Sequence, residues 1–569
     1  MKRAVGGVSG IYIIFAATFL VAVALIARLF FIQIIDGKEY VALAASQYVR
    51  PVQQLYNRGD IYMQPREGKP LPVALMKEAY TLYISPQALS NAEELYYQIN
   101  EITPIDKSRF IESAQKPNDP YEILATGLES EIADKIAELN TIGVSTHPER
   151  ERYYPAGSLA SQTIGFMSYD ENSLQGMYGV ERQYDELLTD PSTRKHVNIF
   201  AEILLNNNGS IEENTETADV VLTIEPSVQV FVEKELEDYR KAFKAQRAGA
   251  IIMDPHTGEI ISMASSPQFN LNDFRNADPN TFSNPNVSNI YEMGSIMKAL
   301  TIAAGLDSGA ITPESTFNDL GYVSADGARI TNVYKGARGI TKIQGILNHS
   351  MNTGVSWIVE QMGKRKFAEY LYNFGLNEKT NIKLPNEASG LLTNLESPRT
   401  LEYYTASFGQ GIATTPIATV RALASLGNGG FLVEPYLVKE IRYANGEIKI
   451  PERDEPTRVL KEQTSEDISR MLVNVTDVAL LGGEKSISTH TVALKTGTAQ
   501  MPDPLTGKYS ETDFLHSYFG YFPAYDPEFI VFLYAEKPSG SEYASQTLTD
   551  PFFRITNFLI DYYAIKPDR

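Results

Sequence analysis

The stretch "YEMGSIMKAL", residues 291–300, sets Ser295 three positions before Lys298. Side chains three apart on a helix share a face, so this spacing gives a serine hydroxyl an amine for a neighbour. Gly294 precedes the pair, and good helix formers follow it in "SIMKALTIAAGL", which predicts Ser295 near a helix N-terminus. The dipole there favours negative charge developing on the serine. A serine hydroxyl is a poor nucleophile until a base accepts its proton. Lysine is such a base only when neutral, which requires burial or a nearby cation. The pattern alone decides nothing, because the chain holds a second Ser-x-x-Lys, Ser113-Ala-Gln-Lys116, in an ordinary polar segment.

Two further elements give Ser295 a context. They are Ser350-Met-Asn352 in "LNHSMNTG" and Lys495-Thr-Gly497 in "ALKTGTAQ". From one loop, Ser350 and Asn352 can both face a cleft, the serine relaying a proton and the asparagine binding a peptide amide. Lys495 and Thr496 offer a cation and a hydroxyl to a substrate carboxylate, and Lys495 is also the cation that would keep Lys298 neutral. Gly497 is expected to leave room for substrate backbone to lie alongside as an added strand. The backbone N–H groups of Ser295 and Thr498 are expected to form an oxyanion hole. Taken singly, Ser-x-Asn is more often a cap or a turn, and Lys-Thr-Gly a turn; the ordered trio carries the weight.

At 569 residues the chain exceeds one ordinary core, and two or three folded units are expected. The 43% hydrophobic and 21% charged content is globular, and the net charge of −20 leaves no basic footprint for nucleic acid. No cysteine is present, which excludes disulfides, thiolate metal sites and a cysteine nucleophile. Six histidines and no Gly-x-Ser-x-Gly disfavour a Ser-His-Asp triad. Residues 10–35, "GIYIIFAATFLVAVALIARLFFIQII", carry Arg28 as their only charge, a run long enough to cross about 30 Å of hydrocarbon. The run is too long and too bulky near its end for a signal peptide. Lys2 and Arg3 before it predict a cytoplasmic tail at 1–9, with everything from about Asp36 outside a plasma membrane crossed once.

Residues 36–219 mix alternating runs such as "AYTLYISP" (79–86) with helical ones such as "ESEIADKIAELNTIG" (129–143). "NNNGSIEENTETAD" (206–219) is polar, acidic and without an apolar period, a loop or junction. Then "VVLTI" (220–224) predicts a strand, "EPSVQVFVEKELEDYRKAF" (225–243) a helix with Pro in its first turn, and "AGAIIMDPHTGEIISMASS" (248–266) a hairpin. Three more strands are predicted in "THTVALKTGTAQ" (489–500), "HSYFGYFPAY" (516–525) and "EFIVFLYAE" (528–536), with helices between these β-rich ends. The pattern predicts an α/β or α+β domain whose sheet is assembled from distant segments.

The trio is that of penicillin-binding proteins and serine β-lactamases. Over most of its length the chain resembles the class B penicillin-binding proteins, membrane-anchored D,D-transpeptidases that cross-link peptidoglycan. The resemblance is carried by "NRGDIY" (57–62), "RYYPAGSLASQTIGF" (152–166), "GMYGVERQYDELL" (176–188), "LTIEPSVQ" (222–229), "FGQGIATTP" (408–416) and "GYFPAYDPEF" (520–529). It implies an α/β fold: a transpeptidase domain at 220–569 like that of serine β-lactamases, with a central antiparallel sheet and helices on both faces. An elongated, mixed α+β pedestal or dimerisation-type domain at 36–219 and a transmembrane helix at 10–35 would complete the chain. By the same resemblance Ser295 is acylated, Lys298 is its base, Ser350 and Asn352 form the second motif, and Lys495, Thr496, Gly497 and Thr498 bind substrate. No metal or organic cofactor is implied. The implied partners are peptidoglycan stem peptides, β-lactams as inhibitors, and a SEDS-family glycan polymerase with other wall-synthesis membrane proteins. The style of "RGDIY" and "GVERQYDELL" points to division rather than elongation. Departures are Met293 for the usual Pro, Met297 where Phe is frequent, and "MQPREG" (63–68) for the usual Asp-Arg-Asn-Gly.

Three rival readings use the same residues. A serine β-lactamase needs a deacylating base, for which Glu387 in "LPNEASGLL" (384–392) is the candidate. A D,D-carboxypeptidase would put water in place of the acceptor amine. A non-catalytic scaffold or antibiotic sensor would not need the trio intact.

Overall fold

The computed structural model describes residues 15–23, 25, 28, 57–89, 91–116, 122–170, 173–189, 217–333, 336–503 and 506–569. The chain divides into two units, Met1–Tyr56 and Asn57–Arg569. In the first, the described residues are helical and exposed. The predicted tail at 1–9 and much of the predicted span at 10–35 lie outside the described residues, and no helix among those described is long and apolar enough to cross a membrane.

In the second unit, the predicted hairpin at 248–266 forms as Arg247–Met253 and Ile260–Ser266. Its turn is fixed chemically: Asp254 accepts from the N–H groups of His256 and Thr257, and Gly258 takes φ +82 to close it. Phe529–Glu536 adds to the Arg247–Met253 edge, then Tyr509–Phe522, then Ala493–Pro502, giving a five-stranded antiparallel sheet built from the two ends of the domain. Every residue of Phe529–Glu536 is buried, as expected of a strand covered on both faces.

Side-chain parity shows what covers each face. Tyr518 packs against Phe552 of the C-terminal helix Thr549–Tyr563. Tyr521, an odd number of residues on and so on the opposite face, shares a hydrogen bond with Ser469 of the helix Glu462–Asn474. The helix Pro226–Ala242 joins the first layer, with Phe231 stacked on Phe558 at 4.1 Å. The helix Met297–Asp307, buried at all but one of its positions, lies against Glu462–Asn474 in the second layer.

A second sheet binds the regions on either side of the predicted 219/220 junction. Ala218–Leu222 pairs in parallel with Ile61–Met63 and antiparallel with Val438–Tyr443, so Val220 faces Ile61 on one side and Ile441 on the other. The predicted boundary therefore falls inside a strand. From Ile61–Met63 the sheet continues into Leu71–Ile84, fourteen residues or about 48 Å of strand. Its far end packs into a separate core of Leu82, Ile84, Leu95, Ile99, Phe110, Leu124, Leu128 and Ile136. The helix predicted over 129–143 is shorter, Ser130–Glu138, because Asn140 (φ +49) and Gly143 (φ +88) turn the chain into the strand Val144–Tyr153.

Candidate active site

Ser295 sits in a 3₁₀ turn, Gly294–Ile296, that leads directly into Met297–Asp307. Gly294 makes this turn possible. Its φ is +65, and a Cβ there would stand 2.8 Å from the carbonyl oxygen of Thr498. The Gly294 N–H donates to Gly409 O at 3.1 Å, and Gly409 (φ +78) is packed so closely that a Cβ would lie 2.3 Å from Gly294 O. The turn is thus pressed between the edge strand Ala493–Pro502 and the glycine loop that follows Phe408.

The second lysine-facing element comes from a strained residue. Ser350 lies between the helices Ile343–Asn348 and Asn352–Met362 with φ +50, in the left-handed region that non-glycine residues rarely adopt. This backbone turns its carbonyl and hydroxyl toward Lys298, whose Nζ donates to Ser350 O at 2.5 Å and to Oγ at 3.0 Å. Lys495 Nζ reaches the same Oγ at 3.3 Å and also donates to Thr496 O at 2.8 Å. Two amines thus converge on one hydroxyl, and among the described residues neither has a carboxylate partner.

Both lysines are buried, Lys298 completely. Burial, reinforced by the charge of Lys495, pushes the Lys298 amine well below its ordinary value, and burial brings Lys495 down to about 8. A neutral amine has two N–H groups and one lone pair. In that form both N–H groups of Lys298 can be taken by Ser350, and the lone pair stays unused by these two bonds.

Asn352 begins the helix after Ser350, and its Nδ2 donates to Thr331 O at 3.0 Å. Behind it, Thr353 is held by Asp319 and Asn332 at 2.8 and 3.1 Å, an anchor that no sequence pattern marked. Thr496 and Thr498 lie on the edge strand, half-buried. The Thr498 hydroxyl accepts from the Ala544 N–H at 3.1 Å. Its carbonyl points to Gly294, and in an antiparallel strand a residue's N–H points the same way as its C=O, so the Thr498 N–H faces the turn of Ser295.

Gly497 has a packing role beyond the one expected. A Cβ there would meet Ser517 Oγ at 2.3 Å, Met293 O at 2.8 Å and Ile296 N at 3.0 Å. The missing side chain makes room for the turn of Ser295. Ser517, directly opposite Gly497 on the next strand, fixes the contact by donating its hydroxyl to Met293 O at 2.7 Å. Nothing in the sequence singled out Ser517, because its partner is a backbone carbonyl 224 residues away.

The second Ser-x-x-Lys is elsewhere: Ser113 and Lys116 both bond to Glu122 beside the separate core, at 2.9 and 2.6 Å. Glu387 is occupied as well, with Oε1 accepting from the N–H and hydroxyl of Thr380 at 2.5 and 2.6 Å.

The fold thus brings the turn of Ser295, Lys298, Ser350 and Lys495 to one place. Residues 248–556 match the penicillin binding protein transpeptidase domain, and residues 54–220 match the penicillin-binding protein dimerisation domain. The chain belongs to the class B penicillin-binding proteins. Stage V sporulation protein D of Bacillus subtilis (strain 168) is 30% identical over 92% of this chain and 81% of its own length. Peptidoglycan D,D-transpeptidase FtsI of Escherichia coli (strain K12) is 27% identical over 96% and 90%. The crystal structure of penicillin binding protein 3 from Mycobacterium tuberculosis, complexed with aztreonam, has the same fold, with TM-score 0.69 at 20% identity over 91% of this chain and 98% of that one.

Proposed function

We propose that this chain is a peptidoglycan D,D-transpeptidase that cross-links stem peptides through an acyl-Ser295 intermediate, at division. The observation that carries this is the convergence of two buried, carboxylate-free lysines on Ser350 Oγ beside the turn of Ser295. Ser295 Oγ attacks the carbonyl of the penultimate D-Ala while Lys298 takes its proton. The oxyanion forms between the N–H groups of Ser295 and Thr498. Lys298 then returns the proton through Ser350 to the departing amine of the terminal D-Ala. In the second half the amine of a neighbouring stem attacks the ester, gives its proton up along the same route, and leaves as the new amide with Ser295 restored. Lys495 and Thr496 hold the substrate carboxylate, and Asn352 its amide. β-Lactams acylate the same serine.

The hydropathy of residues 10–35 supports a single-pass plasma-membrane anchor with a cytoplasmic N-terminus and the bulk of the chain outside. A SEDS-family glycan polymerase is the membrane partner that the resemblance to class B penicillin-binding proteins implies, because cross-linking needs newly made glycan strands to join. The relatives named FtsI support a division role.

The test is labelling of the full chain in detergent with a fluorescent penicillin, beside Ser295→Ala and Ser113→Ala. Stable label that disappears only in Ser295→Ala is expected. Label that is released quickly with drug turnover identifies a β-lactamase instead. Stem peptides that are only trimmed, with an acceptor amine present, identify a carboxypeptidase.

A further inference from the structure

Glu292 lies three residues before Ser295, and the mechanism above gives it no role. Its Oε1 accepts from the Gly411 N–H at 3.0 Å, and the Tyr509 hydroxyl donates across both carboxylate oxygens at 3.0 and 2.9 Å. Gly411 belongs to the glycine loop whose Gly409 carbonyl receives the Gly294 N–H, and Tyr509 begins the strand that pairs with the catalytic edge strand, opposite Pro502. One carboxylate thus joins three pieces of chain that meet around the nucleophile. We propose that Glu292 and Tyr509 are positioning residues for acyl transfer, the carboxylate acting as a clip that holds the glycine loop and the edge hairpin against the turn of Ser295. The inference rests on the acyl-serine reading.

The clip matters to the chemistry because the oxyanion site is split. One N–H belongs to the turn (Ser295) and the other to the strand (Thr498), so the spacing between turn and strand is the spacing of the site. Ser517 ties the turn from behind through Met293 O, and Gly409 ties it through Gly294 N. Both of those bonds are neutral. Of the three, only the Glu292 tie is charge-assisted, and it reaches the hairpin near its open end, at Tyr509, eight residues along the strand from Ser517.

Its electrostatics give it a signature. Burial pushes the Glu292 carboxyl upward, and the Tyr509 hydroxyl and Gly411 N–H oppose that rise. No charged group takes part, and Tyr509 is the titratable group that faces it. Removing the Tyr509 hydroxyl therefore lets Glu292 take a proton at higher pH, and a protonated carboxyl loses one of its acceptor sites.

The experiment is the second-order rate of acylation of the full chain by a fluorescent penicillin from pH 5 to 8, with melting temperatures alongside. Tyr509→Phe is expected to acylate about 10-fold more slowly at pH 7, with its acid limb moved to higher pH and its Tm within about 2 °C of the parent. Glu292→Gln, which keeps one acceptor, should fall between the parent and Glu292→Ala and show no titration from this position. Tyr509→Phe within twofold of the parent, with an unmoved acid limb, overturns the clip; this variant decides even if Glu292→Ala fails to fold. A parent chain that takes no label overturns the acyl-serine reading and the clip with it.

Discussion

Gly497→Ala separates two explanations of the glycine in Lys-Thr-Gly. If that glycine clears a path for substrate, an alanine should weaken peptide binding and leave the protein otherwise intact. The structure predicts something else. The new Cβ would lie 2.8 Å from Met293 O and 3.0 Å from Ile296 N, against an ordinary contact of about 3.5 Å. Ser517 can rotate its hydroxyl out of the way, but only by giving up its 2.7 Å bond to Met293 O. The two backbone atoms cannot rotate away, so the turn must withdraw from the strand by about 0.5 Å. Overpacking of this kind costs about 1–3 kcal/mol and the lost hydrogen bond about 1 kcal/mol more. A shift of half an ångström in the nucleophile should slow acylation on the order of 10-fold, since 1 Å is worth about 100-fold. Gly309→Ala is the control, because it has φ +73 and nothing within 4 Å of the added carbon. It carries a left-handed backbone strain of about 1–2 kcal/mol that Gly497, extended in its strand, does not, and should still acylate normally. The assay is penicillin acylation rate and Tm on both variants. Parental acylation and Tm in Gly497→Ala, with only peptide affinity reduced, would refute the docking argument.

Acylation requires neutral Lys298, so its rate should rise with pH along the ionisation of that amine. Lys495→Met removes the neighbouring cation that helps depress it, so the acid limb of a pH–rate profile should move to higher pH; an unmoved limb removes Lys495 from that role. Arg58→Met should cost about 3–5 kcal/mol in thermal melts, because Arg58 pairs with the fully buried Glu181 at 2.7 Å and its loss leaves that carboxylate with Arg152 as its one cation and the Tyr154 hydroxyl. Glu181 is held below its ordinary value by these two arginines acting against burial, so its contribution is present above about pH 4.5 and lost as pH falls through the lower folded value; Arg58→Met should shrink that acid dependence. Glu233 titrates the other way. Burial pushes it up to about 7, so the folded chain holds a proton that the unfolded chain releases, and stability falls as pH rises from about 4.3 to 7. Glu233→Gln should therefore gain about 1–3 kcal/mol relative to the parent at pH 8 and little at pH 5, and equal effects at the two values would disprove the assignment.

What was legible beforehand follows the range of the interactions. Ser295 and Lys298 lie one turn apart, and Ser350-Met-Asn352 and Lys495-Thr-Gly497 are contiguous, so each piece of the site is a local pattern. The hairpin at 248–266 was legible because Asp254 and Gly258 impose their turn locally. The strand predicted at 516–525 begins earlier, at Tyr509, because its polar first residues carry no apolar alternation and are held by pairing with the edge strand. Ser517 and Glu292 escaped notice for a related reason. Each is an ordinary residue whose partner is a backbone group or a tyrosine more than a hundred positions away. The positive φ of Ser350, which aims the hydroxyl at both lysines, likewise has no signature in a residue type that seldom adopts it.

"NRGDIY" shows how a motif recognised by resemblance acquires a physical cause. Arg58 enters a buried cluster with Glu181, Asp185 and Thr189, which belong to the segment also noted by resemblance at 176–188 and the residue after it. Gly59 has no substitute, because a Cβ would lie 2.0 Å from Ala218 O. The Asp60 N–H donates to Asp219 at 2.7 Å, and Ile61 opens the parallel pairing with Val220. Three consecutive residues thus fasten the chain at 57–63 to the strand that the transpeptidase region extends through Val438–Tyr443. A hinge at 219/220 would have to break a ladder paired on both sides, so the dimerisation region and the transpeptidase region are coupled through backbone hydrogen bonds at this joint. Displacement of one at the joint must be borne by the other or by the sheet between them.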